Sequence, residues 1–94
     1  MAPRTRKQIQ PTVGPEKAFG LALRQLRQEK GVSQEQFAFD AGLDRSYMSM
    51  VERGLRSPTM RTVLRFADTL GVPPSEIVLR MEQILSPKSR RGTS

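Results

Sequence analysis

Residues 33–54, SQEQFAFDAGLDRSYMSMVERG, decide how this chain is read. Ser33 followed three positions later by Gln36 is a capping box, so a helix is predicted over residues 34–41. Phe37, Ala38 and Ala41 form its inward side. Gly42 ends it, because a residue without Cβ enters the left-handed region at little cost. Asp44 is a good N-cap, and a third helix follows it, ending at Gly54. The turn around Gly42 and Leu43 is too short for an antiparallel pair of helices. The second helix of the pair must therefore cross the first steeply and turn its outer face away from the body. That arrangement is a helix-turn-helix.

At about 100° per residue, the third helix divides into two faces. Met48 and Val51 fall together and are expected in the core. Arg45, Ser46, Ser49, Met50 and Arg53 share an arc on the other side that contains no acid. A DNA major groove accepts such a face: Arg45 suits a two-point contact with guanine, the serines exchange hydrogen bonds, and Met50 suits a thymine methyl. A polar arc alone fits an ordinary solvated surface equally well, so the reading depends on its surroundings.

Outward from this motif, the first helix is predicted over about residues 15–30, with Pro15 at its start, Gly31 past its end, and Phe19, Leu23 and Leu26 at helical spacing. A fourth helix follows Thr59 and Pro58 and runs to Leu70 and Gly71, with Met60, Val63, Leu64, Ala67 and Leu70 as its stripe. A fifth begins near Pro73–Pro74 and runs to about Leu85. Its apolar stripe is Ile77, Met81, Ile84 and Leu85, with Val78 beside it and Leu79 pointing the opposite way. No strand signal and no internal repeat is present. The expected fold is all-α: a compact five-helix domain over residues 15–85, between a flexible basic arm (1–14) and a disordered basic tail (86–94). The expected core is Phe19, Leu23, Leu26, Val32, Phe37, Leu43, Met48, Val51, Leu64 and Leu70.

Composition narrows the chemistry. The 94 residues hold no cysteine and no histidine, which excludes disulfides and thiolate metal sites and removes the commonest general base. No cofactor or metal is implied, and no nucleophile–base pair or phosphate-binding glycine loop points to an enzyme. No apolar run approaches the roughly 20 residues of a membrane span, and the N-terminus lacks the apolar segment of a secretory signal, so a cytoplasmic protein is expected. The net charge is +7, yet residues 16–86 hold ten basic and nine acidic side chains. Arg4, Arg6 and Lys7 at one end and Lys88, Arg90 and Arg91 at the other carry the excess, and such tails are often simply solvated. Within the body the charge is segregated. Residues 45–65 contain Arg45, Arg53, Arg56, Arg61 and Arg65 against Glu52 alone, which suits phosphate contact.

Residues 19–73 resemble the Cro/XRE family of phage-repressor-like helix-turn-helix DNA-binding domains. The resemblance is carried by FGLALRQLRQEKGVSQEQFA (19–38), AGLDRSYMSMVERG (41–54) and RSPTMRTVLRFADTLGV (56–72). The Ser-Gln pair, the glycine turn, the Glu-Arg-Gly end and the Ser-Pro-Thr cap occur in order at the family's separations. Neither tail is covered. The resemblance implies base contact by Arg45, Ser46, Ser49 and Met50, and phosphate contact by Gln34, Arg53 and Arg56. Thr59 caps the fourth helix, and the N–H groups it precedes are placed to face a phosphate. Tyr47 lies at the border of the two faces and suits either core packing or a phosphate. Arg27 and Glu52 match a partly buried structural ion pair bridging the first and third helices.

The function implied is sequence-specific binding of double-stranded DNA by a transcriptional regulator, a repressor acting as a homodimer on an inverted-repeat operator. Family members usually dimerise on DNA, often through the last helix, which assigns the dimer interface to Val78, Leu79 and Glu82. The two recognition helices then enter major grooves about 34 Å apart. The alternative is an antitoxin or other protein-binding module that also represses its own promoter, with a toxin or polymerase as its protein partner. No membrane partner is expected.

Overall fold

The computed structural model describes residues 13–85. The tail assigned to 86–94, and the arm assigned to 1–14 apart from its last two positions, lie outside the described residues. Five helices follow in order: α1 (Pro15–Glu29), α2 (Gln34–Ala41), α3 (Arg45–Glu52), α4 (Met60–Leu70) and α5 (Pro74–Leu85). Among the described residues there is no strand.

The helix starts follow from short-range chemistry. The Ser33 hydroxyl accepts from the Gln36 N–H at 3.0 Å, the Asp44 carboxylate from the Ser46 N–H at 3.1 Å, and Thr59 Oγ1 from the Thr62 N–H at 3.2 Å. Each satisfies one of the donors that a helix N-terminus leaves unpaired. The capping box is only half made. The Gln36 amide donates to Asp40 Oδ1 at 2.8 Å, one turn onward, in place of reaching back to Ser33. At the other end of α2, Gly42 has φ 71° and ψ 32°. Its N–H donates to Phe39 and that of Leu43 to Ala38, which closes α2 and turns the chain into α3 within three residues. The last turn of α3 is tied off by Gly54 N–H to Val51 and Leu55 N–H to Met50, so α3 ends at Glu52, two residues before Gly54.

The core lies where α1 packs along α5 and across α3, while α2 touches α3 and α4. Phe19, Leu23, Leu26, Phe37, Met48, Val51 and Leu70 are buried in it, with Val32 and Leu43 partly buried against it. Leu64, expected in this set, is 52% exposed, and Met60 is exposed as well. Phe66 takes the central place that the stripe left out: it is fully buried, with its ring centroid 6.1 Å from Phe19 and 5.8 Å from Phe37. Val63, Phe66, Ala67 and Leu70 complete a helical period, and Leu64 lies about 100° from their centre. Two phenyl rings on α1 and α2 select that face, because burying a third ring excludes more apolar area than burying Leu64.

α5 is held on α1 by more than apolar contact. Ile77 is fully buried and Met81 and Ile84 pack on the core, while Val78 and Leu79 face outward. Arg80 donates two bonds to the Glu29 carboxylate at 2.8 and 2.9 Å and one to Gln25 at 3.3 Å, with Glu76 Oε2 at 3.5 Å on its own helix. Hydrogen bonding from Arg80 holds the Glu29 carboxyl below its usual range, and the same bond raises the Arg80 guanidinium. No described helix is long and apolar enough to cross a membrane.

Candidate nucleic-acid interface

α3 is seated by its inner face and by one close backbone approach. Met48 and Val51 are fully buried. Where α1 passes the last turn of α3 it carries Gly20, and a Cβ there would lie 2.4 Å from the carbonyl oxygens of both Val51 and Glu52. Only glycine lets the two backbones meet so closely. Beside this crossing, Arg27 of α1 binds Glu52 in two-point fashion: Nε to Oε2 at 2.8 Å and Nη2 to Oε1 at 3.0 Å. Arg27 Nη1 also donates to the Val32 carbonyl at 2.8 Å. Both side chains are buried, at 9% and 4% exposure, so every lone pair and proton needs a partner, and among the described residues no buried side-chain polar atom lacks one.

The outer face carries Arg45, Ser46 and Arg53 exposed, with Ser49 and Met50 half-exposed. Arg45, Ser46, Ser49 and Met50 share one side of α3 by helical period, and Arg53 and Arg56 lie exposed just beyond its end. The arc itself holds no acid, but its rim holds two that the helix pattern does not display. Asp44, the N-cap, accepts from the Ser46 hydroxyl as well as from its N–H. These bonds hold the Asp44 carboxyl below its usual range, and they engage the hydroxyl proton of Ser46, leaving its oxygen to accept. Glu35, at the start of α2, places Oε1 3.8 Å from Arg45 Nη1.

Gln34 is half-buried and turned toward the body. Its amide donates to Glu52 Oε1 at 3.1 Å, and its oxygen receives Arg45 Nε–H at 3.4 Å. A continuous polar chain therefore runs from the buried Arg27–Glu52 pair through Gln34 to Arg45. Tyr47 is half-buried against the core, and the Arg56 guanidinium carbon sits 5.7 Å from its ring centroid. Core packing and support of a cation are thus combined in one side chain. Arg53 Nε donates to the Ser49 carbonyl at 3.4 Å, leaving its other N–H groups toward solvent. Thr59 is exposed, and its hydroxyl caps α4 while bonding Thr62 Oγ1 at 3.1 Å. On the far helix, Val78 and Leu79 are 56% and 42% exposed, and Glu82 is exposed beside them.

Sequence periodicity missed Gly20, Glu35 and Phe66. Phe66 had a visible signal, the spacing of residues 63, 66, 67 and 70. Gly20 had a partial one, a glycine inside a predicted helix, which signals a close approach without naming the partner; Glu35 had none, because its partner comes from a helix that local periodicity does not place. Arg4, Arg6 and Lys7 lie outside the described residues.

The family model described as "Helix-turn-helix domain" matches residues 18–79, and the chain belongs to this XRE-like helix-turn-helix family. Over 62 residues it is 40% identical to the uncharacterized HTH-type transcriptional regulator y4dJ of Sinorhizobium fredii, a match covering 66% of this chain and 80% of that one. The fold is similar to that of the restriction-modification controller protein C.AhdI from Aeromonas hydrophila. There the TM-score is 0.63 at 48% identity, over 65% of this chain and 92% of that one. It is also similar to the controller protein C.Esp1396I, solved as a tetramer in complex with its natural 35 base-pair operator, with a TM-score of 0.71 at 25% identity over 78% and 96% of the two chains.

Proposed function

We propose that this helix-turn-helix family member is a sequence-specific double-stranded DNA-binding transcriptional regulator, a repressor that occupies an inverted-repeat operator as a dimer. One observation carries the proposal. The outer face of α3 presents Arg45, Ser46 and Arg53 to solvent, while the opposite face is fully buried and braced by α1. A rigid helix with a narrow polar face and flanking arginines fits the major groove, where base edges offer acceptors to paired N–H donors. In this reading Arg45, Ser46, Ser49 and Met50 meet bases, and Arg53 and Arg56 meet phosphates. Gln34 and Thr59 lie at helix N-termini, where backbone N–H groups and the helix dipole favour phosphate. Tyr47 supports Arg56 and lies close enough to the rim to share its phosphate. In this reading the protein acts in the cytoplasm, where the DNA it regulates lies. The likeness to C.AhdI and to the operator-bound C.Esp1396I supports the same reading.

The outward side of α5, with Val78, Leu79 and Glu82, is the surface for the second copy. Two exposed aliphatic side chains on a helix otherwise anchored by Ile77 gain burial when paired across a two-fold axis. The axis sets two copies of α3 about 34 Å apart, one turn of DNA. Replacing Leu79 with Arg shifts the chain toward monomer in sedimentation and weakens operator binding.

The test is selection of duplexes from a randomised pool, followed by fluorescence anisotropy. An enriched inverted repeat, bound far more tightly than scrambled duplex, is expected. Arg45→Ala lowers discrimination by about 1–3 kcal/mol at one base pair, whereas Arg53→Ala weakens all duplexes alike and reduces the salt slope by about one. Equal losses on every sequence for both variants would refute the division of roles.

A further inference from the structure

Arg45 has two neighbours on α2. Its Nε–H meets Gln34 Oε1 at 3.4 Å, and its Nη1 faces Glu35 Oε1 at 3.8 Å. We propose that Glu35 is a positioning residue for Arg45, one that sets the guanidinium as an outward fork and so sharpens the choice between bases. The inference rests on the reading of α3 as the groove-reading helix and goes one step beyond it.

A guanidinium carries five N–H donors in a fixed plane. Gln34 accepts from Nε, and Glu35 lies within ion-pair distance of Nη1, 3.8 Å away. In the proposal the N–H groups of Nη1 and Nη2 not turned to Glu35 serve the ligand, and a paired set of donors of that kind matches the O6 and N7 acceptors of guanine. Gln34 is itself anchored, since its amide donates to Glu52 Oε1 at 3.1 Å and Glu52 is buried. The hold on Arg45 is thus referred back to the rigid crossing of α1 and α3. With side chains 60% and 78% exposed, the Arg45–Glu35 pair adds little to folding. Its consequence lies in the order it gives a long side chain. An arginine already aimed loses less rotamer freedom on docking than a free one.

The Glu35 carboxylate has a second effect. It stands at the rim of a surface facing phosphates, where it weakens binding that depends on charge alone. The two effects raise discrimination together but act oppositely on affinity: Glu35 strengthens the contact with the right base pair and weakens contact with any other duplex. A carboxylate that only repelled phosphate would weaken both duplexes by one factor.

The experiment uses a duplex enriched by the wild-type chain and a scrambled duplex of the same composition. Affinities are measured for wild type, Glu35→Gln, Arg45→Ala and the double variant. Glu35→Gln is expected to lose about fivefold on the enriched duplex and to gain about twofold on the scrambled one. In the Arg45→Ala background the loss disappears and Glu35→Gln strengthens both duplexes, the coupling that a double-mutant cycle isolates. A change by the same factor on both duplexes overturns the proposal, as does a loss that persists without Arg45. A wild-type chain that enriches no sequence overturns the groove-reading role itself, a separate result that takes this inference with it.

Discussion

Gly20→Ala sets two well-defined effects against each other. In a helix interior, replacing glycine with alanine ordinarily stabilises by about 0.5–1 kcal/mol, because the unfolded chain has less freedom to lose. At residue 20 the added Cβ would stand 2.4 Å from the Val51 and Glu52 carbonyl oxygens and 2.7 Å from the Glu52 carbonyl carbon. These are backbone atoms, so no rotamer change relieves the contact. α1 and the last turn of α3 must separate by about 1 Å to reach ordinary van der Waals distance. Overpacking of that kind costs about 1–3 kcal/mol. The displaced turn also carries Glu52, whose two bonds to Arg27 at 2.8 and 3.0 Å tolerate little movement. The net expectation is a loss of about 1–2 kcal/mol, which for a domain of this size lowers Tm by roughly 5–15 °C. Circular dichroism melts measure it, and duplex binding well below Tm is expected to weaken as well, since α3 is the element that moves. A Gly20→Ala chain that melts higher than wild type would refute the close seating of α3 on α1.

Three further outcomes test other links. Arg27→Met leaves the Glu52 carboxylate buried with only Gln34 beside it and is expected to cost about 3–5 kcal/mol in urea unfolding; adding Glu52→Leu recovers most of the loss, because a buried pair is far cheaper to replace than to halve. Phe66→Ala removes the ring packed between Phe19 and Phe37 and costs about 3–5 kcal/mol, whereas Leu64→Ala, at a half-exposed site, stays within about 0.5 kcal/mol; equal costs would place α4 in a different rotation. Glu29 and Asp44 both have folded-state pKa values below their unfolded ones, through hydrogen bonds from Arg80 and Ser46 respectively. Their contribution is therefore complete above the unfolded carboxylate range and is lost as pH falls from about 4.5 downward through the folded values. Thermal melts between neutral and acid pH are expected to show Tm falling there, with a smaller fall in Glu29→Gln.

Sequence alone determined the features that rest on contacts within three or four positions. Ser33, Asp44 and Thr59 cap helices because a short side-chain oxygen reaches an N–H two or three residues on. Gly42 turns the chain because a backbone without Cβ enters the left-handed region cheaply. The number and order of the helices, the family, and the division of α3 into an inner Met48–Val51 side and an outer arginine side follow from these local rules and from helical period. Tertiary structure decided what two acceptable local choices left open or what only distant segments bring together. Phe66 displaced Leu64 because rings on α1 and α2 waited for a third. Gly20 under the end of α3, Arg80 on Glu29, and Glu35 beside Arg45 each join residues of different helices, and no periodicity within one helix carries information about a neighbour's position. Which groups stand beside Arg45, Gln34 at 3.4 Å and Glu35 at 3.8 Å, was likewise decided by the packing of α2 on α3.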